Sequence, residues 1–277
     1  MKMVAFPDGE SVPALGQGTW MMGEDPARRA EEIATLRAGV EAGARLVDTA
    51  EMYGEGAAEH LIAEALGSRR EEIFLVSKVY PHSASHAGVF AACERSLQRL
   101  KTDRLDLYLL HWRGSIPLAE TIAGFERLIA EGKIRRWGVS NFDPADMAEL
   151  LAAPGGDACA TNQVLYNLTR RGIEWDLLPD AQAAHLPIMA YSPIEQAALA
   201  RHMGVKQLAD QLGITASALA LAWVLDHDGV IAIPKTACRR HLDDNLRSRD
   251  LKLSDGIRTE LDRLFPPPTR ALPLQML

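Results

Sequence analysis

Leu46-Val47-Asp48-Thr49-Ala50-Glu51-Met52-Tyr53-Gly54 is the stretch on which the fold turns. Its apolar beginning, residues 44–47, reads as a short buried strand that breaks off at a polar turn. Asp48 closes the strand, and Tyr53 follows beside two glycines, Gly54 and Gly56. Alone the pattern is weak, because an aspartate at a strand end more often caps a turn or the next helix than does chemistry. Its recurrence changes the reading. Phe74-Leu75-Val76-Ser77-Lys78 ends an apolar run in a lysine, and Leu105-Asp106-Leu107-Tyr108-Leu109-Leu110-His111 ends another in a histidine. Asp48, Tyr53, Lys78 and His111 then stand at three successive strand ends.

Working outward, strands and helices alternate. A hairpin is predicted at the N-terminus, turning at Asp8-Gly9. A first strand follows at Gly16-Gln17-Gly18-Thr19-Trp20, then a helix starting near Pro26, with Ile33, Leu36 and Val40 inward and Gly43 as its stop. Strands at 44–48, 73–78, 105–111, 134–139, 159–164, 187–191 and 229–233 come next. Helices at 55–66, 86–100, 117–131, 144–152 and near 171–184 lie between them. Segments 204–212 and 215–226 precede the last strand; helices 239–248 and 255–264 follow it. The alternation signals a parallel sheet. Polar strand ends recur at near-equal intervals, at 48, 78, 111, 140, 163 and 191, and no Gly-x-Gly-x-x-Gly opens a helix after the first strand. Both features favour a (β/α)₈ TIM barrel over an open doubly wound sheet. The expected architecture is a single α/β domain, 1–277, with an N-terminal β-hairpin cap and two extra helices. In such a barrel, functional groups gather at the C-terminal strand ends.

Composition narrows the function. A chain of 277 residues, 47% of them hydrophobic, is long enough for a sizeable core. A net charge of −7 without a long basic run argues against nucleic acid as a partner. The three cysteines, Cys93, Cys159 and Cys238, are odd in number and far apart, so neither a disulfide framework nor a zinc site is expected. Residues 1–10 have no signal-peptide core, and no apolar stretch approaches the ~20 residues of a membrane span. The expected setting is cytoplasmic, with no membrane partner and no metal. No large apolar helix face stands out, and a monomer is the default.

A tyrosine is a poor acid at neutral pH unless a cation stabilises its phenolate. Lys78 is a candidate for that cation, and Asp48 for the partner a buried lysine needs. His111 is placed to hydrogen-bond a substrate oxygen or relay a proton. Together these groups make a proton donor aimed at a carbonyl oxygen; a structural ion pair beside a core histidine is the alternative.

Further motifs accompany the four residues: Asp48-Thr49-Ala50-x-x-Tyr53-Gly54, Val76-Ser77-Lys78, Leu109-Leu110-His111-Trp112, Gly132-Lys133-Ile134-Arg135, Gly138-Val139-Ser140-Asn141-Phe142, Asn162-Gln163, Ala190-Tyr191-Ser192-Pro193 and Ile233-Pro234-Lys235. On these the chain resembles the aldo-keto reductases essentially end to end, with the nearest look to bacterial members acting on small aldehydes such as methylglyoxal. The resemblance implies an NADPH-dependent carbonyl reductase taking a small-molecule carbonyl substrate. In it Tyr53 gives the proton, Lys78 and Asp48 tune Tyr53, and His111 orients the carbonyl. It also implies that Tyr191 stacks on the nicotinamide and that Ser140, Asn141 and Gln163 hold its carboxamide, with Thr19, Trp20 and Ser192 beside the cofactor. Lys235 and Thr236 suit the adenosine 2′-phosphate, and Asp244 and Asn245 the adenine. Trp20, Tyr80 and Trp112 are expected to line the substrate pocket, with Met21 or Met52. Trp137, Trp175 and Trp223 read as packing.

Two positions depart from the family pattern. His241 stands where many relatives place an arginine for the 2′-phosphate; NADPH preference is still expected, through Lys235, Thr236 and His241. Residues 194–199 lack the glycines that many relatives carry over the pyrophosphate, so a less enclosed, faster-exchanging cofactor is expected. The residues after Phe265 are expected to leave the pocket open. A competing reading is an NADP(H)-binding regulatory module with slow turnover, like the channel-associated β-subunits. A metal-dependent barrel isomerase would need clustered carboxylates and histidines, and only Asp48 fits.

Overall fold

The computed structural model describes residues 2–277; Met1, which opens the N-terminal segment read above, lies outside them. Ten strands run in chain order: β1 Met3–Ala5, β2 Ser11–Pro13, β3 Gln17–Gly18, β4 Leu46–Asp48, β5 Phe74–Val79, β6 Leu107–Leu110, β7 Trp137–Ser140, β8 Asn162–Leu165, β9 Ile188–Tyr191 and β10 Val230–Ala232. Strands β3 to β10 form one eight-stranded sheet in sequential order, and each neighbouring pair is parallel. Parallel bridges Leu15–Ala232 and Gly18–Lys235 bring the first strand against the last and close the barrel. The seam needs a glycine: a Cβ on Gly18 would stand 2.7 Å from the Ile233 carbonyl oxygen.

The helices are α1 Arg29–Glu41, α2 Ala57–Leu66, α3 His86–Leu100, α4 Leu118–Ala130, α5 Pro144–Ala152, α6 Leu177–Ala183, α7 Ala198–Arg201, α8 Met203–Gln211, α9 Ala216–Asp226, α10 Arg239–Arg247 and α11 Asp255–Leu264. The two helices expected after the last strand are α10 and α11. Among the described residues no single helix is long and apolar enough to cross a membrane; α8 and α9 pass such a test together but are bent by 87°.

The antiparallel β1–β2 hairpin plugs the N-terminal end of the barrel. Phe6 stacks on Phe74 at 5.2 Å, and the Arg136 guanidinium lies over both rings while pairing with Asp8 and Glu10. That end is therefore filled with packing, and the opposite end is left for the site.

Several boundaries differ from expectation. α1 begins at Arg29, not near Pro26, because Asp25 first builds a turn whose side chain accepts the Ala27 N–H at 2.9 Å. β6 begins at Leu107, not 105, because the Asp106 carboxylate accepts the Leu75 N–H at 2.8 Å and pairs with Arg70. Ile129 on α4 is 40% exposed, and Trp175, expected to pack, is 49% exposed. Trp137 and Trp223 are buried as expected.

Candidate active site

The barrel's C-terminal rim surrounds a cavity of about 730 Å³. Asp48 ends β4 and points into it; Lys78, one residue before the end of β5, lies beneath. The Lys78 ammonium is 0% exposed and donates three hydrogen bonds: to Asp48 Oδ2 at 2.7 Å, to the Thr49 carbonyl at 2.8 Å and to the Tyr53 hydroxyl at 3.0 Å. The other Asp48 oxygen accepts Gln163 Nε2 at 2.7 Å. The buried lysine thus has a full set of acceptors, and its charge is compensated.

Tyr53 reaches Lys78 because the chain turns sharply after it. Gly54, Glu55 and Gly56 are all left-handed, with φ of 57°, 52° and 93°. Burial pushes the Tyr53 phenol up, against the lowering pull of Lys78; the neighbouring Asp48 charge adds to the rise, and the net direction is upward. The phenol is therefore a proton carrier at neutral pH, and Lys78 limits how weak an acid it becomes. Burial also pulls Lys78 down, but Asp48 and Tyr53 together leave its ammonium above the usual range.

His111 follows β6 and stands edge-on to Tyr53, with ring centroids 6.0 Å apart. Burial, then the Lys78 charge, pulls its imidazole down to about 2, so it is neutral and can act as a hydrogen-bond donor. Its backbone carbonyl accepts Asn141 Nδ2 at 3.1 Å.

The residues expected at a nicotinamide are brought together on the far wall. The Tyr191 hydroxyl donates to Asn141 Oδ1 at 2.9 Å, and the Ser140 hydroxyl donates to the Gln163 carbonyl at 2.8 Å. Ser140 and Asn141 do not cap the next helix. Asp143 caps α5, in a capping box with Asp146. Gln163 gives its two amide N–H donors to Asp48 Oδ1 at 2.7 Å and, more weakly, to Met189 Sδ at 3.9 Å, which leaves its side-chain carbonyl for a ligand amide. The Thr19 hydroxyl donates to the Asp48 carbonyl at 2.9 Å.

At the outer wall, Lys235, Thr236, His241, Asp244 and Asn245 line the same cavity. Burial, then the charge of Arg28, pulls the Lys235 ammonium below its usual range. Among the described residues Lys235 forms no salt bridge. A half-buried cation without a counter-ion suits an anionic ligand group, so the residues present fit a phosphorylated dinucleotide such as NADPH. The Thr236 hydroxyl is already used in the turn into α10, accepting the Cys238 N–H at 3.2 Å.

Trp20, Met21, Met52 and Trp112 line the mouth, and Trp20 and Met21 are exposed. Tyr80, expected there, is not among the lining residues: it meets Trp112 edge-on at 5.9 Å and stacks on His82 at 4.8 Å. The last residues do not simply leave the mouth open. Met276, Leu277 and Ser217, which sequence reasoning did not assign, line the cavity, as do Gln196 and Ala197 of the segment read as lying by the pyrophosphate. A serine in the first turn of α9 or an unstructured apolar tail carries no local mark of a site. Among the described residues, no group of three or more His, Cys, Asp or Glu side chains is placed to hold a metal.

The aldo/keto reductase family profile matches residues 14–264. The chain belongs to the aldo/keto reductase family. It is 52% identical to methylglyoxal reductase YeaE of Escherichia coli (strain K12), covering 100% of this chain and 99% of that protein. It is 31% identical to the glyoxal reductase of Bacillus subtilis (strain 168), covering 94% and 92%. Among solved structures it superimposes on an aldo/keto reductase from Klebsiella pneumoniae in complex with NADP and acetate, with a TM-score of 0.97, 51% identity, and 100% and 99% of the two chains covered.

Proposed function

We propose that this aldo/keto reductase catalyses NADPH-dependent reduction of small aldehydes and ketones, reactive dicarbonyls such as methylglyoxal among them, with Tyr53 as the proton donor. The observation that carries the reading is the Lys78 ammonium held between Asp48 at 2.7 Å and the Tyr53 hydroxyl at 3.0 Å, at the floor of a cavity that reaches from Trp20 to Asn245.

NADPH, when bound, supplies the hydride. Tyr191 would offer its aromatic face to the flat nicotinamide, and Ser140, Asn141 and the Gln163 carbonyl would take its carboxamide. Lys235 would meet the 2′-phosphate, with His241 beside it. Tyr53 protonates the carbonyl oxygen as negative charge builds there. Lys78 stabilises the phenolate left behind, and Asp48 keeps Lys78 charged. Neutral His111 orients the carbonyl by hydrogen bonding. Trp20, Met21, Met52 and Trp112 give the substrate an apolar surround that excludes water and discriminates weakly among carbonyls. The identity of 52% to a methylglyoxal reductase, and of 31% to a glyoxal reductase, supports small dicarbonyls as substrates.

The test is oxidation of NADPH, and separately of NADH, with methylglyoxal and 4-nitrobenzaldehyde, against a Tyr53→Phe variant. Wild-type turnover with NADPH, falling by ~10²–10⁴-fold in Tyr53→Phe while NADPH still binds, is the expected result. Tight NADPH binding without turnover of any carbonyl by the wild type would instead favour a regulatory NADP(H)-binding module.

A further inference from the structure

Behind the strand ends, outside the barrel wall, lies a layer of charge that the reaction does not touch. Glu59, in the first turn of α2, is 0% exposed. One of its carboxylate oxygens accepts the Ser77 hydroxyl at 2.7 Å, and the other accepts Arg99 Nε at 2.6 Å. Ser77 precedes Lys78 on β5. Successive strand side chains face opposite ways, so Ser77 looks outward while Lys78 looks in. Glu51, buried between Asp48 and Tyr53, accepts the Tyr80 backbone N–H at 2.9 Å and faces Arg95 and Arg99 at 3.6 and 4.0 Å.

Arg99 arrives from the last turn of α3. Its stem lies against Gly56, where a Cβ would collide with Arg99 Cδ and Nε. Gly56 is the last residue of the left-handed turn that follows Tyr53. A single guanidinium therefore touches the turn that carries Tyr53, the carboxylate on the segment between Asp48 and Tyr53, and the carboxylate that grips β5 beside Lys78. Both carboxylates are buried, with side-chain exposures of 7% for Glu51 and 0% for Glu59, while Arg99 keeps 19%. Two buried carboxylates in such surroundings require their cation, so Arg99 is held in place by them.

We infer that Arg99 is a positioning residue for proton donation, setting the separation of the Lys78 ammonium and the Tyr53 phenol through Glu59–Ser77 on one side and Gly56 and Glu51 on the other. The inference rests on Tyr53 being the proton donor. The groups facing the phenol are Lys78, Asp48, the His111 ring and Tyr191 across the mouth. Of these, Lys78 is the one whose strand the layer grips. If the layer slackens, the ammonium acts over a longer distance, its field at the phenol falls, and Tyr53 becomes a weaker acid.

Arg99→Met keeps the stem and removes the charge. Its kcat is expected to fall by roughly 10–10²-fold, the scale of a misplacement below 1 Å, with NADPH affinity and carbonyl KM little changed. The alkaline limb of its kcat/KM profile should move to higher pH, and Arg99→Lys should recover part of both effects. A loss of folded protein alone would lower kcat without moving the limb. Ser77→Ala severs only the link to β5. It is expected to show the same changes in milder form, and it decides the matter if Arg99→Met does not fold. Wild-type kcat and an unmoved limb in Ser77→Ala, or in folded Arg99→Met, would overturn the inference. Tyr53→Phe in the same assay separates the two claims: if it retains turnover, the proton-donor assignment fails and the inference goes with it.

Discussion

Lys78 lies beneath the inner wall of the cavity and Lys235 lines its outer wall, and the fold treats them differently. Lys78 is fully buried, and each of its three N–H donors has an internal acceptor. Lys235 is half-buried, lowered by its surroundings, and forms no salt bridge among the described residues. The inner wall is complete without a ligand, as a proton-transfer site must be if its geometry is to be fixed before substrate arrives. On the proposed function, the outer wall is completed by the cofactor's own charge. Changes at the inner wall should therefore damage chemistry and folding together, while changes at the outer wall should alter cofactor binding and leave the fold alone.

The sharpest way to break this contrast is Lys78→Met. Asp48 would remain buried with only Gln163 to bond it, and removing one partner of a buried pair costs about 3–5 kcal/mol. Turnover is expected to fall by ~10³-fold or more, with a lowered denaturation midpoint. An active, fully stable Lys78→Met enzyme would mean that the inner wall is not preformed in the way described.

His111 offers a second test, through pH. Its imidazole is held neutral, down to about 2, whereas the unfolded chain takes up a proton near the ordinary value of about 6.5. The unfolded state thus binds more protons below pH 6.5. The stability that the neutral ring contributes is present above that pH and is lost as pH falls toward 2. From pH 7.5 to pH 5 the loss is about 2 kcal/mol for one such group. Chemical denaturation at the two pH values should show it in the wild type and not in His111→Gln. Equal slopes in the two proteins would mean that the ring is protonated in the native state.

At the outer wall, Lys235→Met should raise the KM for NADPH by about 10–100-fold, the range of one charge-assisted hydrogen bond. NADH kinetics, kcat and thermal stability should stay near wild type. Equal losses for the two cofactors would show that Lys235 does not read the 2′-phosphate.

The inner wall was legible in the residues themselves and the outer wall only through the family resemblance, for a physical reason. Asp48, Tyr53, Lys78 and His111 stand at the ends of short apolar runs, and apolar runs are what a sequence displays most plainly. The alternation of strands and helices carried the barrel, although Asp25 and Asp106 moved two boundaries by putting side chains where backbone bonds were expected. Tyr80 stands against Trp112 and His82 and outside the cavity lining, because a strand-end aromatic can face a cavity or brace it and only tertiary packing decides. Arg99 and Glu59 lie on different helices, and nothing local announces that they meet. The segment over the cofactor wall was hardest, since its shape depends on left-handed residues that are not glycine.

That segment supports the smallest of the expected effects. Ser192, Glu195, Gln196 and Ala197 have φ of 46°, 47°, 49° and 68°, a region costly for residues with a Cβ. Such a run persists only when its surroundings hold it. Here Glu195 accepts two N–H donors of Arg170, at 3.0 and 2.7 Å, and Asn167 Nδ2 at 2.8 Å; Asn167 also donates to the Ser192 carbonyl at 2.9 Å. The glycine-free sequence that suggested a loosely enclosed cofactor is therefore tied down at one residue. Glu195→Gln removes the charge and keeps the shape. Because Arg170 is partly solvated, the pair is worth little in water, and NADP⁺ release measured by stopped-flow fluorescence should quicken by only about 2–5-fold, with kcat/KM for the carbonyl unchanged. Gly in place of Gln196 or Ala197 acts the opposite way, relieving a left-handed strain of about 1–2 kcal/mol, offset in part by the ~0.4–1 kcal/mol by which glycine favours the unfolded chain, and should slow release. If the charge variant and the glycine variants shift release in the same direction, the segment does not act as a strained flap held by Glu195, and the outer wall is as preformed as the inner one.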